Sequence, residues 1–321
     1  MSILVTGCAG FIGYNTTKEL LKKNKKVIGI DNLNNYYDLD LKKNRLNLLN
    51  KDKNFFFFKI DVTNKKKLSN LIKKERIKYI IHLAAQAGVR YSINTPDEYF
   101  ESNIIGFYYI LNLSVKYKIK HLIFSSSSSV YGNNKKTPYN EESNSDFPIS
   151  FYAATKKSNE VMAHSYSNIY KLPITILRFF TVFGPMGRPD MAIYKFTKNI
   201  KENKNLNLYN NGTNVRDFTY VDRITKIITK ILYNKPTNKV PYKIYNIGSG
   251  YKIKIMSLVK ILEKLIGKKS KIVKKPQNKG DVSATHADIS KISKKIKLNK
   301  QNLKNLENDL KKYLDWYDNY Y

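Results

Sequence analysis

The run Ile3-Leu4-Val5-Thr6 passes directly into Gly7-Cys8-Ala9-Gly10-Phe11-Ile12-Gly13 and then into an amphipathic segment. A short buried strand, a glycine turn and a helix form the opening of a βαβ unit. Gly7 and Gly10 permit the tight turn and bring the backbone close to an anionic pyrophosphate. Gly13 lets helix and strand pack closely, and Phe11 and Ile12 open the helix at the end that faces the anion. A second apolar run, 26–30, ends in Asp31 at the spacing where an acid meets the ribose hydroxyls of a bound dinucleotide, with Asn32 beside it. A carboxylate there repels a 2'-phosphate, so the sequence favours NAD over NADP.

Strand and helix patterns keep alternating. Strands are expected over 3–6, 26–30, 55–60, 79–83 and 121–124, with helices over 11–23, 65–74 and 96–116. That order predicts an α/β fold, a Rossmann-type doubly wound parallel sheet covered on both faces. Leu83, Ala84 and Ala85 end the fourth strand and are small enough for a cofactor backbone to pass. After a strand over 174–178, the Gly/Pro break at 179–185 reads as a hinge. Residues 1–180 are expected to form the NAD-binding domain. Residues 181–321 are expected to form mainly a smaller α/β substrate lobe, with crossings of the chain between the two allowed.

The chain has 321 residues and a single cysteine, Cys8, inside the glycine turn, which excludes a disulfide framework or a cysteine-based metal site. No metal is expected. No apolar run approaches the roughly 18 residues of a membrane span, so a soluble cytoplasmic protein is expected. The formal charge of +33 is mostly lysine spread along helix faces and loops rather than gathered in one patch. It reads as solvated surface, and no specific nucleic-acid partner is expected.

The chemistry is concentrated between two features. One is the serine cluster Ser125 to Ser129. The other is Tyr152-Ala153-Ala154-Thr155-Lys156, in a segment with helical apolar spacing. Tyr152 and Lys156 are four apart and share a helix face. Lowering a tyrosine pKa from about 10 to about 7 takes roughly 4 kcal/mol of phenolate stabilisation. A neighbouring lysine and a cationic nicotinamide ring supply it together, which makes Tyr152 a general base. Ser127, at the end of the strand that precedes the cluster, is placed to share a proton with the same substrate oxygen. Taken alone, a Tyr/Lys pair of this spacing is most often a surface pair; the glycine turn and Asp31 raise it to a candidate catalytic centre.

These features, with DNLNNYYD (31–38), HLAAQAGVRYS (82–92), FSSSSSVYG (124–132), YAATKKSNE (152–160), LRFFTVFGPMGRPDMA (177–192) and VRDFTYVD (215–222), resemble the extended short-chain dehydrogenase/reductase family. Within it they resemble the UDP-glucuronate 4-epimerases. The resemblance implies an NAD-dependent isomerase that oxidises sugar carbon 4 and returns the hydride to the opposite face, feeding polysaccharide biosynthesis. It implies Asp61 and Val62 at the adenine, and Arg90, Arg216 and Asp281 at the UDP-sugar. It also implies Ser127, Ser128, Ser129, Thr181 and Arg188 around the sugar and its carboxylate, and a homodimer built from helices over 96–116 and 152–170. On the residues alone, Asp61 also reads as a turn residue, Arg90 as a surface arginine, Arg188 as an interlobe arginine and Thr181 as a buried loop hydroxyl. Ser128 and Ser129 stand where dehydratases carry Asp-Glu and decarboxylases a Glu, so elimination lacks its acid. A neutral-sugar 4-epimerase and a non-catalytic NAD-binding regulator remain as alternatives.

Overall fold

The computed structural model describes residues 2–277, 282–298 and 305–321. The first half runs β1 (Ser2–Thr6), α1 (Phe11–Leu21), β2 (Val27–Asp31), α2 (Leu39–Leu49), β3 (Phe55–Lys59), α3 (Lys65–Lys74) and β4 (Ile77–His82). Two single turns, α4 (Tyr91–Asn94) and α5 (Pro96–Tyr99), lead through a π-helical segment, Phe100–Ile105, into α6 (Gly106–Lys116). Then come β5 (His121–Ser127), α7 (Phe151–Tyr170) and β6 (Ile174–Phe179). The remainder is β7 (Thr181–Phe183), α8 (Ala192–Lys201), β8 (Asn205–Tyr209), β9 (Val215–Tyr220), α9 (Val221–Ile231), β10 (Tyr242–Ile247), β11 (Lys252–Lys254), α10 (Ile255–Ile266), β12 (Lys271–Lys275), α11 (Ser290–Ile296) and α12 (Leu306–Tyr320).

Seven strands in the order β10-β6-β5-β4-β1-β2-β3 form one parallel sheet. A parallel sheet with helices on both faces needs apolar side chains pointing both ways. β1 provides them: Ile3 and Val5 join one core with Leu20, Ile227 and Ile231, while Leu4 joins the other with Leu68, Phe107 and Leu111. The strand order reverses between β1 and β4, which opens a crevice beyond their C-terminal ends.

Two local features depart from the sequence reading. No helix was expected between 31 and 55, yet α2 lies there, capped by Asp38, whose Oδ1 accepts from the amides of Asp40 at 2.8 Å and Leu41 at 3.3 Å. Its apolar stripe of Leu41, Leu46 and Leu49 is hidden in the sequence by interleaved lysine and asparagine. The continuous helix expected over 96–116 is instead interrupted by the π-helical segment. One extra residue per turn there re-aims the side chains, and Asn103 points inward. Its Oδ1 accepts from the Gln86 amide at 2.8 Å, and its Nδ2 donates to the Gln86 carbonyl and to Thr155 Oγ1, each at 3.1 Å.

The second lobe holds a three-stranded sheet, β11-β9-β7, and a two-stranded sheet, β12-β8. A third core of Leu206, Phe218, Leu258, Leu262, Tyr313 and Tyr317 lies under them. The chain crosses back repeatedly. β10 is an edge strand of the large sheet, α9 packs on α1, and α11 packs on β10 and α9. Among the described residues no helix is long and apolar enough to cross a membrane.

Candidate active site

A cleft of about 420 Å³ follows the crevice between the lobes. Its cofactor end is the glycine turn. Gly7 has φ of +68°, and a Cβ there would lie 2.8 Å from the Ala84 amide nitrogen; a Cβ on Gly13 would lie 2.0 Å from the Gly7 oxygen. Only glycine fits either position. Thr6 fastens the turn to β4: its Oγ1 accepts from the amides of Leu83 and Ala84, both at 3.1 Å, and donates to His82 Nδ1 at 2.8 Å. Burial, reinforced by the Lys156 charge, pushes His82 down to about 3, so it is the neutral acceptor this bond requires.

Asp31 ends β2 on the cleft wall, its Oδ2 accepting from the Ala9 amide at 3.1 Å and its Oδ1 from the Leu33 amide at 2.9 Å. Burial raises its pKa against those hydrogen bonds. Gln86 is also buried on the wall, and its Nε2 has no partner among the described residues. A cradle that only glycine fits, a buried acid at the end of β2 and an unmatched amide donor suit a bound dinucleotide. Phe11, Ile12, Gly10, Asn32, Val62, Leu83, Ala84 and Ala85 line the same wall. Asp61 does not. Its carboxylate accepts from Thr63 and from Asn32 Nδ2 at 2.7 Å, and although burial opposes ionisation these bonds hold its pKa below the usual value.

α7 carries Tyr152 and Lys156 into the middle of the cleft. Ser150 caps the helix, accepting from the Ala153 amide at 3.2 Å, so Tyr152 sits in its first turn. Lys156 is buried and donates to the Ser125 carbonyl at 2.9 Å, and burial pushes its pKa down to about 8 with Glu160 pulling the other way. For Tyr152, burial raises the pKa, and a hydrogen bond from Ser127 and the charge of Arg188 lower it by less. The chain's own groups therefore leave the phenol above its ordinary value, and lowering it would fall to the positive charge of a bound nicotinamide ring. Ser127 ends β5, and Ser128 and Ser129 form the next turn on the same wall.

Behind this wall lies an arrangement the sequence reading missed. Arg178 and Glu160 form a fully buried ion pair at 2.7 Å, and Ser126 donates to the same carboxylate. Glu160 lies one turn beyond Lys156 on α7, so the pair ties the helix to β6 and the Ser126 bond ties it to β5, the strand that ends in Ser127. The only signal in the sequence was the four-residue spacing from Lys156.

At the substrate end, Thr181, Arg188 and Arg216 line the cleft. Arg188 makes a two-point ion pair with Asp190, Nε to Oδ1 at 2.9 Å and Nη2 to Oδ2, and Tyr36 donates to Oδ2 at 3.2 Å. Burial raises the Asp190 pKa, but the Arg188 charge together with the hydrogen bonds from Arg188, the backbone and Tyr36 outweighs it and holds the carboxyl below its usual value. Arg216 donates through Nη2 to the Val282 carbonyl at 2.7 Å. Its neighbour Asp217 turns inward and accepts from Ser249, Gly250 and Ala287, which makes it a strut for those loops. Arg90 is exposed, off the cleft wall, with its guanidinium over the Tyr209 ring at 4.6 Å. Asp281 lies outside the described residues. Arg45 is wholly buried and was also missed. It donates through Nη1 to the Ala9 carbonyl at 2.7 Å and through Nη2 to the Met186 carbonyl at 2.8 Å, tying the glycine turn to the loop that carries Arg188.

A doubly wound sheet with a glycine cradle, an acid at the end of β2 and a Ser/Tyr/Lys group in one cleft defines an NAD-dependent enzyme of the extended short-chain dehydrogenase/reductase type. The chain belongs to the NAD dependent epimerase/dehydratase family, whose model matches residues 3–248. It is 44% identical to "Protein CapI" of Staphylococcus aureus, over 100% of this chain and 99% of that protein. It is also 44% identical to the UDP-glucuronate 4-epimerase of Thermodesulfobacterium geofontis, over 98% and 95% of the two chains. Among solved structures it matches the UDP-glucuronic acid 4-epimerase of Bacillus cereus in complex with UDP-glucuronic acid and NAD. That match has a TM-score of 0.91 and 33% identity, and covers 100% of both chains.

Proposed function

We propose that this chain is a UDP-glucuronate 4-epimerase that converts UDP-glucuronate to UDP-galacturonate. The observation that carries the reading is the meeting in one cleft of Ser127, Tyr152 and Lys156 with Arg188, whose charge reaches the Tyr152 phenol. The glycine turn and Asp31 would hold NAD, which would supply the hydride acceptor and donor for sugar carbon 4. Tyr152 takes the proton from the 4-hydroxyl as the ketone forms and gives it back as the alcohol re-forms on the other face. Ser127 hydrogen-bonds at the same oxygen, and the Lys156 ammonium favours the phenolate. Ser128 and Ser129 offer hydroxyls and no carboxylate, so nothing drives elimination from the 4-keto sugar. Arg188 and Thr181 hold the sugar carboxylate, and Arg216 faces the diphosphate.

The test is incubation of the purified protein with UDP-glucuronate, UDP-glucose and UDP-N-acetylglucosamine, with product separation. UDP-galacturonate should dominate without added stoichiometric NAD, and Tyr152→Phe should lower turnover by at least roughly 100-fold while keeping bound NAD. Preference for a neutral sugar would replace this reading with a neutral-sugar 4-epimerase. We also propose a homodimer pairing the 96–116 region with α7, which leave Phe100, Tyr108, Val161, Ile169 and Tyr170 exposed. A cytoplasmic setting suits the nucleotide-sugar substrate.

A further inference from the structure

Arg188 was expected to meet the sugar carboxylate, yet one edge of its guanidinium is already taken. A guanidinium has two edges that present paired N–H donors, the Nε/Nη2 side and the Nη1/Nη2 end. Asp190 occupies the side edge with both oxygens, and the plane of the group lies over the Tyr36 ring, 5.6 Å from its centroid. Tyr36 in turn donates to Asp190. The arginine is thus clamped on one edge and supported from below, and only its end edge remains for a ligand.

The geometry points to Asp190 as a positioning residue that sets specificity for an acidic sugar by presenting the Nη1/Nη2 end of Arg188 to the substrate carboxylate. This rests on the proposal that the substrate is a uronate. A carboxylate gripped end-on has its orientation fixed relative to the ring, and orientation matters once carbon 4 is a ketone. The sugar is then a β-keto acid. When its C5–C6 bond lines up with the carbonyl π system, that bond breaks, carbon dioxide leaves, and the bonding pair moves onto C5 as the enolate of the 4-ketone. A proton from water then arrives at C5, and return of the hydride taken from carbon 4, with the proton held on Tyr152, yields a UDP-pentose. A clamp that keeps the carboxylate out of line suppresses this loss.

The experiment compares wild type, Asp190→Asn and Asp190→Glu with UDP-glucuronate and UDP-glucose, recording KM, kcat, the pentose fraction of the product and calorimetric affinity for UDP-glucuronate. Asp190→Asn should raise KM for UDP-glucuronate about tenfold with kcat changed less than about threefold. It should weaken UDP-glucuronate binding to match, raise the pentose fraction several-fold and lower kcat/KM for UDP-glucose by less than that for UDP-glucuronate; Asp190→Glu, which keeps the carboxylate, should recover part of each effect. Tighter binding of UDP-glucuronate by Asp190→Asn would mean that Asp190 competes with the substrate, and would overturn the inference. So would a variant with the wild-type pentose fraction, or equal losses on both sugars. Failure of the wild type to act on UDP-glucuronate would instead remove the uronate proposal itself, so the two failures are distinguishable.

Discussion

His82 and His121 are buried in the large sheet and neutral there. His82 accepts from Thr6, and His121 bridges the Leu232 carbonyl and the Thr175 hydroxyl, both at 2.9 Å. Burial pushes them down to about 3 and about 4 respectively. Between those values and about 6.5 the unfolded chain binds protons that the folded chain refuses. Their contribution is therefore fully present above about 6.5 and is lost as the pH falls. At pH 5 the loss is on the order of 2 kcal/mol for each histidine. Tm should drop clearly between pH 7 and pH 5, and His121→Asn should flatten that slope; an equally steep slope in the variant would sink the assignment. Some site residues were legible in the sequence because their chemistry fixes a spacing within one element, as with Tyr152 and Lys156 on α7 or the three glycines of the turn. Asp190 was not, because its role depends on a tyrosine 154 positions away, and neither was Arg45, whose partner Met186 is 141 positions away.

α7 illustrates how an element can hold chemistry in place from its end. Ser150 caps the helix two residues before Tyr152, so any fraying of the first turn moves the phenol. Ser150→Ala should cost about 1 kcal/mol of stability, read as a shift in the urea midpoint, and should lower turnover more than it lowers NAD retention. Unchanged turnover at reduced stability would show that packing alone holds the first turn. Elements with apolar residues at every inward position, such as β1 and β5, could be read from the sequence directly. α2 could not, because Lys42, Lys43, Asn44 and Asn47 interrupt its stripe and Asp38 resembles an ordinary turn residue. The interruption of the 96–116 helix left no trace in the sequence either, since a π-helical segment changes hydrogen bonding without needing glycine or proline.

At the scale of the whole molecule, the lysines among the described residues, Lys42 and Lys156 apart, are not buried, and the exposed apolar side chains of the 96–116 region and α7 stand out against them. If these faces pair two copies, light scattering at micromolar concentration should give twice the 37.4 kDa chain mass, and Val161→Lys combined with Ile169→Lys should give monomers that still fold. A wild-type monomer would rule the pairing out.

The return of β10 to the edge of the large sheet has a further consequence. Because α9, β10 and α11 pack with the first lobe while β11, α10 and α12 pack with the second, no single cut leaves two pieces that each own a complete core. The lobes cannot be exchanged between relatives as cassettes, and a new sugar preference has to arise one side chain at a time on a frame stitched through from both ends.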